Sequence, residues 1–309
     1  MKLTICILTV FLFIFSFDSH GVNYKKIDDN SPNNGIDSNV IFPYKLNEPY
    51  KKYQLPQILN EVSGLTDVDS THIACVQDEI GTVFIYNFVI DSIVFSHKFD
   101  SIGDFEGLTY TGKSLFILRS DGQLTEWSNF DPKNGGTSIR QYMLPLITSN
   151  NEGLCFDGNS NRLLIAAKNK PNNPEQKSER FIYEFDLETR KLNPMPVYSI
   201  NTLYMGAIAE RYNIEHNDTT KSGKLRPFNF RPASLSINPI TKDIYIISAA
   251  DKLLVVMDIN GTIKHMEKLS AELFAKAEGI TFLADGTMII TNEAAGKSPT
   301  LLVYKLNGN

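Results

Sequence analysis

The five residues Phe105-Glu-Gly-Leu-Thr109 decide the fold, because the chain repeats this phrase at nearly regular intervals. The other copies share a small residue followed by Leu or Ile: Val62-Ser-Gly-Leu-Thr66, Asn151-Glu-Gly-Leu-Cys155, Pro232-Ala-Ser-Leu-Ser236 and Ala277-Glu-Gly-Ile-Thr281. Counted at the small residue, the successive intervals are 43, 46, 81 and 45 residues. A recurring period of this length indicates a repeat fold with one supersecondary unit per repeat.

Each repeat has the composition of four short strands. In the first repeat, the phrase is followed by a turn at Asp69-Ser70 and by apolar runs at Ile73–Val76, Val83–Tyr86 and Ile93–Phe99. Runs of β-branched and aromatic residues bounded by Gly, Asp, Asn and Pro predict strands. Because four such strands in about 45 residues are typical of a propeller blade, the sequence predicts an all-β protein that forms a single β-propeller.

The last repeat is incomplete, since Ala277 to Asn309 leaves room for only three strands. The segment Tyr50–Pro56 resembles Arg140–Pro145, which occupies the fourth-strand position of the second repeat. We therefore expect residues 50–55 to complete the last blade. Closure of the ring by the N-terminal strand removes the open sheet edges that an unclosed ring would leave.

The number of blades depends on the interval of 81 residues between the third and fourth phrases. It is compatible with a degenerate blade, which would make six blades, or with one blade that carries an insertion. Residues 201–230 contain no recognisable phrase, and they combine a short helix-like patch with a polar loop. This favours five blades, with an insertion around residues 201–230.

The N-terminus is typical of a targeting signal. Lys2 is followed by an apolar run from Leu3 to Phe17 and then by the small residues Ser19 and Gly21. This pattern predicts a signal peptide over residues 1–21, with an uncleaved membrane anchor as the alternative. The expected location is periplasmic or extracellular. No later stretch has the roughly 20 apolar residues that a membrane-spanning helix needs.

After the signal, residues 22–49 are rich in Asn, Asp, Ser, Pro and Lys, and we expect a polar linker ahead of a propeller domain over residues 50–309.

The composition also excludes several classes of function. A net charge of −5 argues against nucleic acid as a partner. Cys6 lies in the signal, so a disulfide scaffold is excluded; Cys75 and Cys155 lie in apolar runs and are expected to be buried free thiols. No nucleophile elbow, P-loop or zinc-protease motif is present.

The residue before the repeated glycine is glutamate in three phrases, namely Glu106, Glu152 and Glu278. These side chains would converge where the innermost strands begin, at the mouth of the central channel. Like charges that meet there require a neutralising cation, and Ca²⁺ prefers a cage of oxygen ligands. Glu61 and Asn151 would supply further oxygens. The alternative is that each glutamate caps a turn or pairs with a Lys or Arg.

A second set of polar residues follows the apolar second strand of each repeat. Turn residues are common at such positions, but these side chains could also form an acidic rim around the channel, with Arg119 or Lys168 contacting a ligand. The set comprises Asp78, Glu79, Asp121, Asn169, Asp251, Asn292 and Glu293.

The repeated phrases resemble those of the bacterial SdiA-regulated family, which is distantly similar to propellers built from NHL repeats. The likeness covers roughly residues 50–309 and rests on Asp104-Phe-Glu-Gly-Leu-Thr, Asn151-Glu-Gly-Leu, Ala277-Glu-Gly-Ile-Thr-Phe and Asp251-Lys-Leu-Leu-Val-Val-Met-Asp. The resemblance implies an exported five-bladed propeller with a calcium ion at a shared site. It implies no defined reaction.

Two functions follow as expectations. The first is a calcium-binding propeller that binds a ligand or a partner protein on one face, because the catalytic motifs sought above are missing. The second is a calcium-dependent hydrolase of lactone, ester or phosphate-ester substrates, in which the metal polarises a carbonyl or activates water. The second rests on analogy between folds, which is a weak basis for inferring chemistry.

Overall fold

The computed structural model describes residues 25–27, 42–216 and 219–307. The predicted signal peptide and most of the predicted linker lie outside these residues. In the described part of the chain, no helix is both long and apolar enough to cross a membrane.

The described residues form short strands and one α-helix. In chain order these are β1 (Lys25–Ile27), β2 (Lys51–Gln54), β3 (Val62–Asp67), β4 (His72–Gln77), β5 (Ile80–Asn87), β6 (Ser92–Ile102), β7 (Phe105–Tyr110), β8 (Leu115–Arg119), β9 (Gln123–Ser128), β10 (Ser138–Met143), β11 (Asn151–Asp157), β12 (Arg162–Ala167), β13 (Glu179–Asp186), β14 (Lys191–Leu192), β15 (Tyr198–Asn201), α1 (Thr202–Glu210), β16 (Ser234–Ile237), β17 (Ile244–Ser248), β18 (Leu253–Met257), β19 (Ile263–Lys268), β20 (Ala277–Phe282), β21 (Met288–Asn292) and β22 (Thr300–Tyr304).

Five sheets form the blades of one propeller, so the five-blade prediction is confirmed and the six-blade alternative is wrong. From the innermost strand outward they are β3 to β6, β7 to β10, β11-β12-β13-β15, β16 to β19, and β20-β21-β22-β2. The third blade also carries β14 beside β13, and β1 pairs in parallel with its outermost strand β15. The innermost strands contact one another around the ring, and a cavity of about 280 Å³ opens where they end.

The N-terminal strand closes the ring, as the sequence predicted. β2 pairs antiparallel with β22 from Lys51↔Val303 to Gln54↔Thr300. The packed domain also includes residues before 50, the position at which the sequence analysis places the end of the linker and the start of the propeller domain. Tyr44 is only 3% exposed and lies in the core between the fourth and fifth blades. Its hydroxyl donates to the Gly286 carbonyl at 2.6 Å.

The repeated glycine is required by the close approach of neighbouring innermost strands. A Cβ atom on Gly107 would lie 2.7 Å from the Glu152 carbonyl oxygen of the next blade, and one on Gly64 would lie 2.7 Å from the Leu108 nitrogen. The threonine two residues later joins the same strands: Thr109 Oγ1 accepts from the Phe156 N–H at 3.0 Å. The phrase therefore repeats because it encodes contact between blades.

The hydrophobic core is divided into five clusters, one at each seam between adjacent blades. Each cluster contains one copy of the apolar residue of the phrase: Leu65, Leu108, Leu154, Leu235 and Ile280. Every blade is thus stabilised by burial against its two neighbours, so the ring is the unit that buries apolar surface.

In the long interval between the third and fourth phrases, α1 follows β15 of the third blade. Asn201 caps α1 by accepting from the Leu203 N–H at 2.9 Å. The helix and the segment after it bury Met205, Ala209 and Phe230 in the cluster between the third and fourth blades. Elsewhere in the core, Cys75 and Cys155 are free and buried, as predicted.

Candidate functional site

The charged residues singled out in the sequence meet at one end of the channel. Because the first two strands of a blade are antiparallel, the start of the innermost strand faces the end of the second strand, as in Val62↔Gln77 and Ala277↔Asn292. Both sets of candidate residues therefore lie at the same edge of the ring. We call this edge the charged rim; it comprises Glu61, Asp78, Glu106, Glu152, Lys168, Lys276, Glu278 and Glu293.

A β-bulge places each repeated glutamate. The pairing register shifts between Phe105 and Gly107, between Asn151 and Gly153, and between Ala277 and Gly279, so Glu106, Glu152 and Glu278 are skipped by the ladder. A bulge leaves one residue unpaired and bends the strand. The same local sequence thus creates the irregularity and supplies the carboxyl group at it.

Two of these glutamates are paired with lysines. The Glu152 side chain is only 2% exposed, and its Oε1 lies 2.7 Å from Lys168 Nζ. Glu152 Oε2 is buried without a hydrogen-bond partner in the described part of the chain. The Glu278 Oε1 lies 3.3 Å from Lys276 Nζ. Both residues thus pair with a lysine, as in the alternative to metal binding. In Glu152 the pairing satisfies only one of the two carboxyl oxygens.

Burial is the largest cause of the raised pKa values of Glu152 and Glu106. It raises the pKa of Glu152 to about 8, and repulsion from Glu106 adds to this while Lys168 opposes it. Burial also raises the pKa of Glu106 to about 7, against a hydrogen bond of 2.8 Å that Ser63 Oγ donates to its Oε2. Glu278 contributes repulsion to both. The three carboxyls therefore interact across the channel, as expected from their shared position.

Asn151, the other proposed contributor from this blade, has both ends of its side chain engaged. Its Oδ1 accepts from Thr148 Oγ1 at 2.9 Å, and its Nδ2 donates to the Ser120 carbonyl at 3.2 Å. These bonds fix the entry to β11 against the second blade. The oxygen of Asn151 thus already serves a structural role.

A more compact group of carboxylates lies where the first and fifth blades meet. Glu61, Asp78 and Glu293 each have an oxygen within 4.8 Å of the others, and no other triad in the described part of the chain meets that distance. Glu61 was among the predicted ligands. Asp78 and Glu293 belong to the second polar set, for which the sequence predicted only turn residues or an acidic rim.

Backbone hydrogen bonds hold the three residues of this triad together. The Asp78 N–H donates to the Glu61 carbonyl at 3.2 Å, which joins the two segments that flank the β3–β4 pair. Across the seam, the Ala294 N–H donates to the Asn60 carbonyl at 2.8 Å. The triad is therefore fixed by the ring closure of the fold.

The environment of the triad favours a positive partner. Burial raises the pKa of Asp78 to about 6, with further repulsion from Glu61 and Glu79, and Asp78 Oδ1 is buried without a hydrogen-bond partner in the described residues. Burial likewise raises the pKa of Glu293 to about 7, although Lys276 Nζ donates to its Oε2 at 2.6 Å. Raised carboxyl pKa values that arise from burial and like charge are typical of functional sites.

Two other acids of the second polar set, Asp121 and Asp251, are paired with arginines. Asp121 accepts two hydrogen bonds from Arg119, at 2.7 and 2.9 Å, and Asp251 accepts two from Arg231, at 2.9 and 3.2 Å. The proximity of Arg119 to Asp121 in sequence was a signal of this pairing. Asp78 and Glu293 differ because no arginine stands beside them in the sequence.

The donor chemistry of the triad fits calcium. All of its side-chain ligands are carboxylate oxygens, which Ca²⁺ accepts in flexible geometries of six to eight ligands completed by carbonyls and water. Zinc sites in proteins are built mainly from His nitrogen and Cys sulfur. The residues that would hold the ion are therefore Glu61, Asp78 and Glu293.

The comparisons with known proteins agree with the architecture. The model of the SdiA-regulated family matches residues 43–296. Among solved structures, the glutaminyl cyclase of Myxococcus xanthus is similar with a TM-score of 0.55 and 15% identity, over 84% of this chain and 95% of that one. A streptogramin B lyase has a TM-score of 0.48 and 13% identity, over 83% and 97%. No curated protein sequence matches the chain. At 15% identity the likeness to the glutaminyl cyclase shows the fold alone.

Proposed function

The chain belongs to the SdiA-regulated family, and from that premise we propose that it is a calcium-binding propeller whose charged rim receives a ligand or a partner protein. The triad of Glu61, Asp78 and Glu293 carries this proposal. Three carboxylates so close together repel one another when ionised, and a divalent ion would convert that repulsion into attraction. A bound calcium ion would supply charge neutralisation and a link between the first and fifth blades.

The predicted set of Glu106, Glu152 and Glu278 stays an alternative ligand set. Its members interact electrostatically, but in the described structure their carboxylate oxygens do not all lie within 4.8 Å of one another. Lysines pair with members of both sets, since Lys276 contacts Glu293 as well as Glu278. The triad has the stronger claim because its three carboxylates have the shorter mutual distances.

Calcium-dependent thermal unfolding tests the site and discriminates between the two sets. We expect CaCl₂ to raise the melting temperature and a chelator to lower it. The variant Glu61→Gln, Asp78→Asn, Glu293→Gln should lose this response, whereas the variant Glu106→Gln, Glu152→Gln, Glu278→Gln should keep it. The reverse result would assign the ion to the second set. An unchanged melting temperature and no heat of calcium binding in the wild type would refute calcium binding.

The same rim is suited to present a binding surface. β15 is antiparallel to β13 and ends at this edge, as Glu179↔Asn201 shows, so α1 and the insertion start beside the rim. The rim itself is anchored on strands of the blades, while the insertion supplies a large loop.

We expect the mature protein to act outside the cytoplasm, and N-terminal sequencing of the exported chain would show cleavage near Gly21.

One observation favours the hydrolase alternative. Glu106 is partly exposed and has a pKa raised to about 7, which is close to the optimum for a general base at neutral pH. A panel of lactone, ester and phosphate-ester substrates with added calcium would test this function. Turnover that Glu106→Gln abolishes without lowering calcium affinity would support it, and absence of turnover on the panel would count against it.

A further inference from the structure

Lys276 connects the triad to the predicted glutamates. Its Nζ lies 2.6 Å from Glu293 Oε2 and 3.3 Å from Glu278 Oε1. The Glu293 N–H also donates to the Lys276 carbonyl at 3.0 Å, so the backbone holds these two residues side by side. The ammonium group is therefore positioned on a carboxylate that the proposed calcium site requires.

An ammonium ion and a calcium ion cannot share this carboxylate without strong repulsion. Two positive charges held on one carboxylate repel each other, and this repulsion is stronger at a protein surface than in bulk water. Lys276 also stabilises the ionised form of Asp78, a second member of the triad. Lys276 thus neutralises the same group of carboxylates that would bind the metal.

The surroundings of Lys276 allow its side chain to leave. It is 43% exposed, whereas the Lys168 side chain, which pairs with Glu152 on another blade, is 20% exposed. A long, half-exposed lysine can return its ammonium group to water by rotation of its own side chain. Release of Lys276 therefore requires no change of the backbone.

We propose that Lys276 is a built-in competitor of the cation: its ammonium occupies the triad in the ion-free protein and is displaced when a divalent ion binds. This inference rests on the proposed calcium site. The lysine would therefore lower the affinity for calcium and would favour divalent over monovalent ions. A monovalent ion brings no more charge than the ammonium that it replaces, whereas a divalent ion does.

Calorimetric titration with CaCl₂ tests the proposal. The lysine is changed to a neutral side chain of similar length in Lys276→Met, and its charge is kept in Lys276→Arg. The matched control is Lys168→Met, which removes the ammonium from Glu152 instead. Lys276→Met should bind calcium about tenfold more tightly than the wild type or better. Lys276→Arg should stay within about threefold of the wild type, as should the control.

The outcomes separate this proposal from the calcium site itself. If the wild type binds calcium and Lys276→Met binds with equal or weaker affinity, the competitor role is refuted while the site stands. If neither binds, the calcium site fails and the competitor role fails with it. Should Lys276→Met not fold, NMR of the lysine side chains in the wild type replaces it. The Lys276 signal should move to the free-lysine position on calcium addition, and a signal that calcium binding leaves unchanged would overturn the proposal.

Discussion

At the residue scale, burial has a larger effect than ion pairing on the pKa of a carboxyl group in the charged rim. Glu152 illustrates this, because a lysine at 2.7 Å and a hydrogen bond from Asn150 serve one of its oxygens while the other oxygen is buried without a partner. Desolvation penalises the ionised form, so its pKa rises to about 8 in spite of the lysine. Glu152 therefore retains a proton at neutral pH that an exposed carboxyl would release.

This protonation makes the stability of the ion-free protein depend on pH. Glu152 has a folded-state pKa of about 8 against 4.5 for the ordinary group. The folded state thus binds more protons than the unfolded state between these values, and the free energy of unfolding falls as the pH rises through that window. We expect a lower melting temperature at pH 8 than at pH 6 in chelator, and a smaller difference in Glu152→Gln. The same pH dependence in both proteins would contradict this origin.

Calcium binding should show the opposite dependence on pH. Asp78 and Glu293 have pKa values raised to about 6 and 7, and both must lose their protons before they coordinate a metal. The calcium affinity of the wild type should therefore rise between pH 5.5 and pH 8. Calorimetry over this range measures it, and an affinity independent of pH would show that these two carboxyls are not ligands.

At the element scale, each position of the repeated phrase has a separate physical role. The glutamate occupies a bulge, the glycine allows close approach, the apolar residue fills a seam and the threonine bonds the next blade. The fourth blade departs from this pattern. Its β16 pairs without a register shift, and Ser234, at the glycine position, has its hydroxyl accepting from the Ile280 N–H at 3.2 Å. This blade keeps the bond between blades and lacks the rim carboxylate.

The close approach of innermost strands predicts a large cost for Gly107→Ala. The added methyl would lie 2.7 Å from both the Glu152 carbonyl oxygen and the Leu154 Cβ, so the two strands must separate. Overpacking of this kind costs about 1–3 kcal/mol. Gly158→Ala is the control, since the three atoms nearest to its methyl would all belong to the movable ring of Phe156, the closest at 3.2 Å. Denaturant unfolding of both variants compares these costs, and equal stabilities would contradict the packing role of Gly107.

At the scale of the whole molecule, stability depends on an unbroken ring. The hydrophobic core consists of five clusters, each between two adjacent blades. Because each blade packs against both of its neighbours, the loss of one strand pairing weakens two of these clusters. The N-terminal segment contributes twice, through β2 in the fifth blade and through Tyr44 and Leu46 in the seam before it. The triad of carboxylates lies on the seam that this closure creates.

Truncation from the N-terminus should therefore act in steps. A chain that starts at residue 42 lacks β1 and its short pairing with β15, and its melting temperature is the reference for the series. A chain that starts at residue 50 loses the buried side chains of Tyr44 and Leu46 and should melt several degrees lower. A chain that starts at residue 57 lacks β2 and should not unfold cooperatively. Thermal unfolding by circular dichroism checks the series, and equal melting of the first two chains would refute the role of residues 42–49.

The sequence predicted the blades because their signals are local and repeated. Gly64, Gly107 and Gly279 mark a geometric need that recurs with each blade, so self-comparison of the sequence finds it. The role of Tyr44 was not foreseeable, because a single aromatic residue in an Asn-rich and Pro-rich stretch has no periodicity to indicate burial. Asp78 and Glu293 were recognised only as rim residues. Their approach to Glu61 depends on pairing across the seam that closes the ring, which no local pattern encodes.

The pairing of β2 with β22 also has a consequence for the order of events during biosynthesis. β2 is among the first segments to be made, yet its partner is separated from it by about 250 residues. A nascent chain can complete its first four blades while the fifth still lacks three of its four strands. The strand β2 must wait, unpaired, until translation of the chain is almost finished. The chain thus depends on protection from aggregation until its final residues arrive.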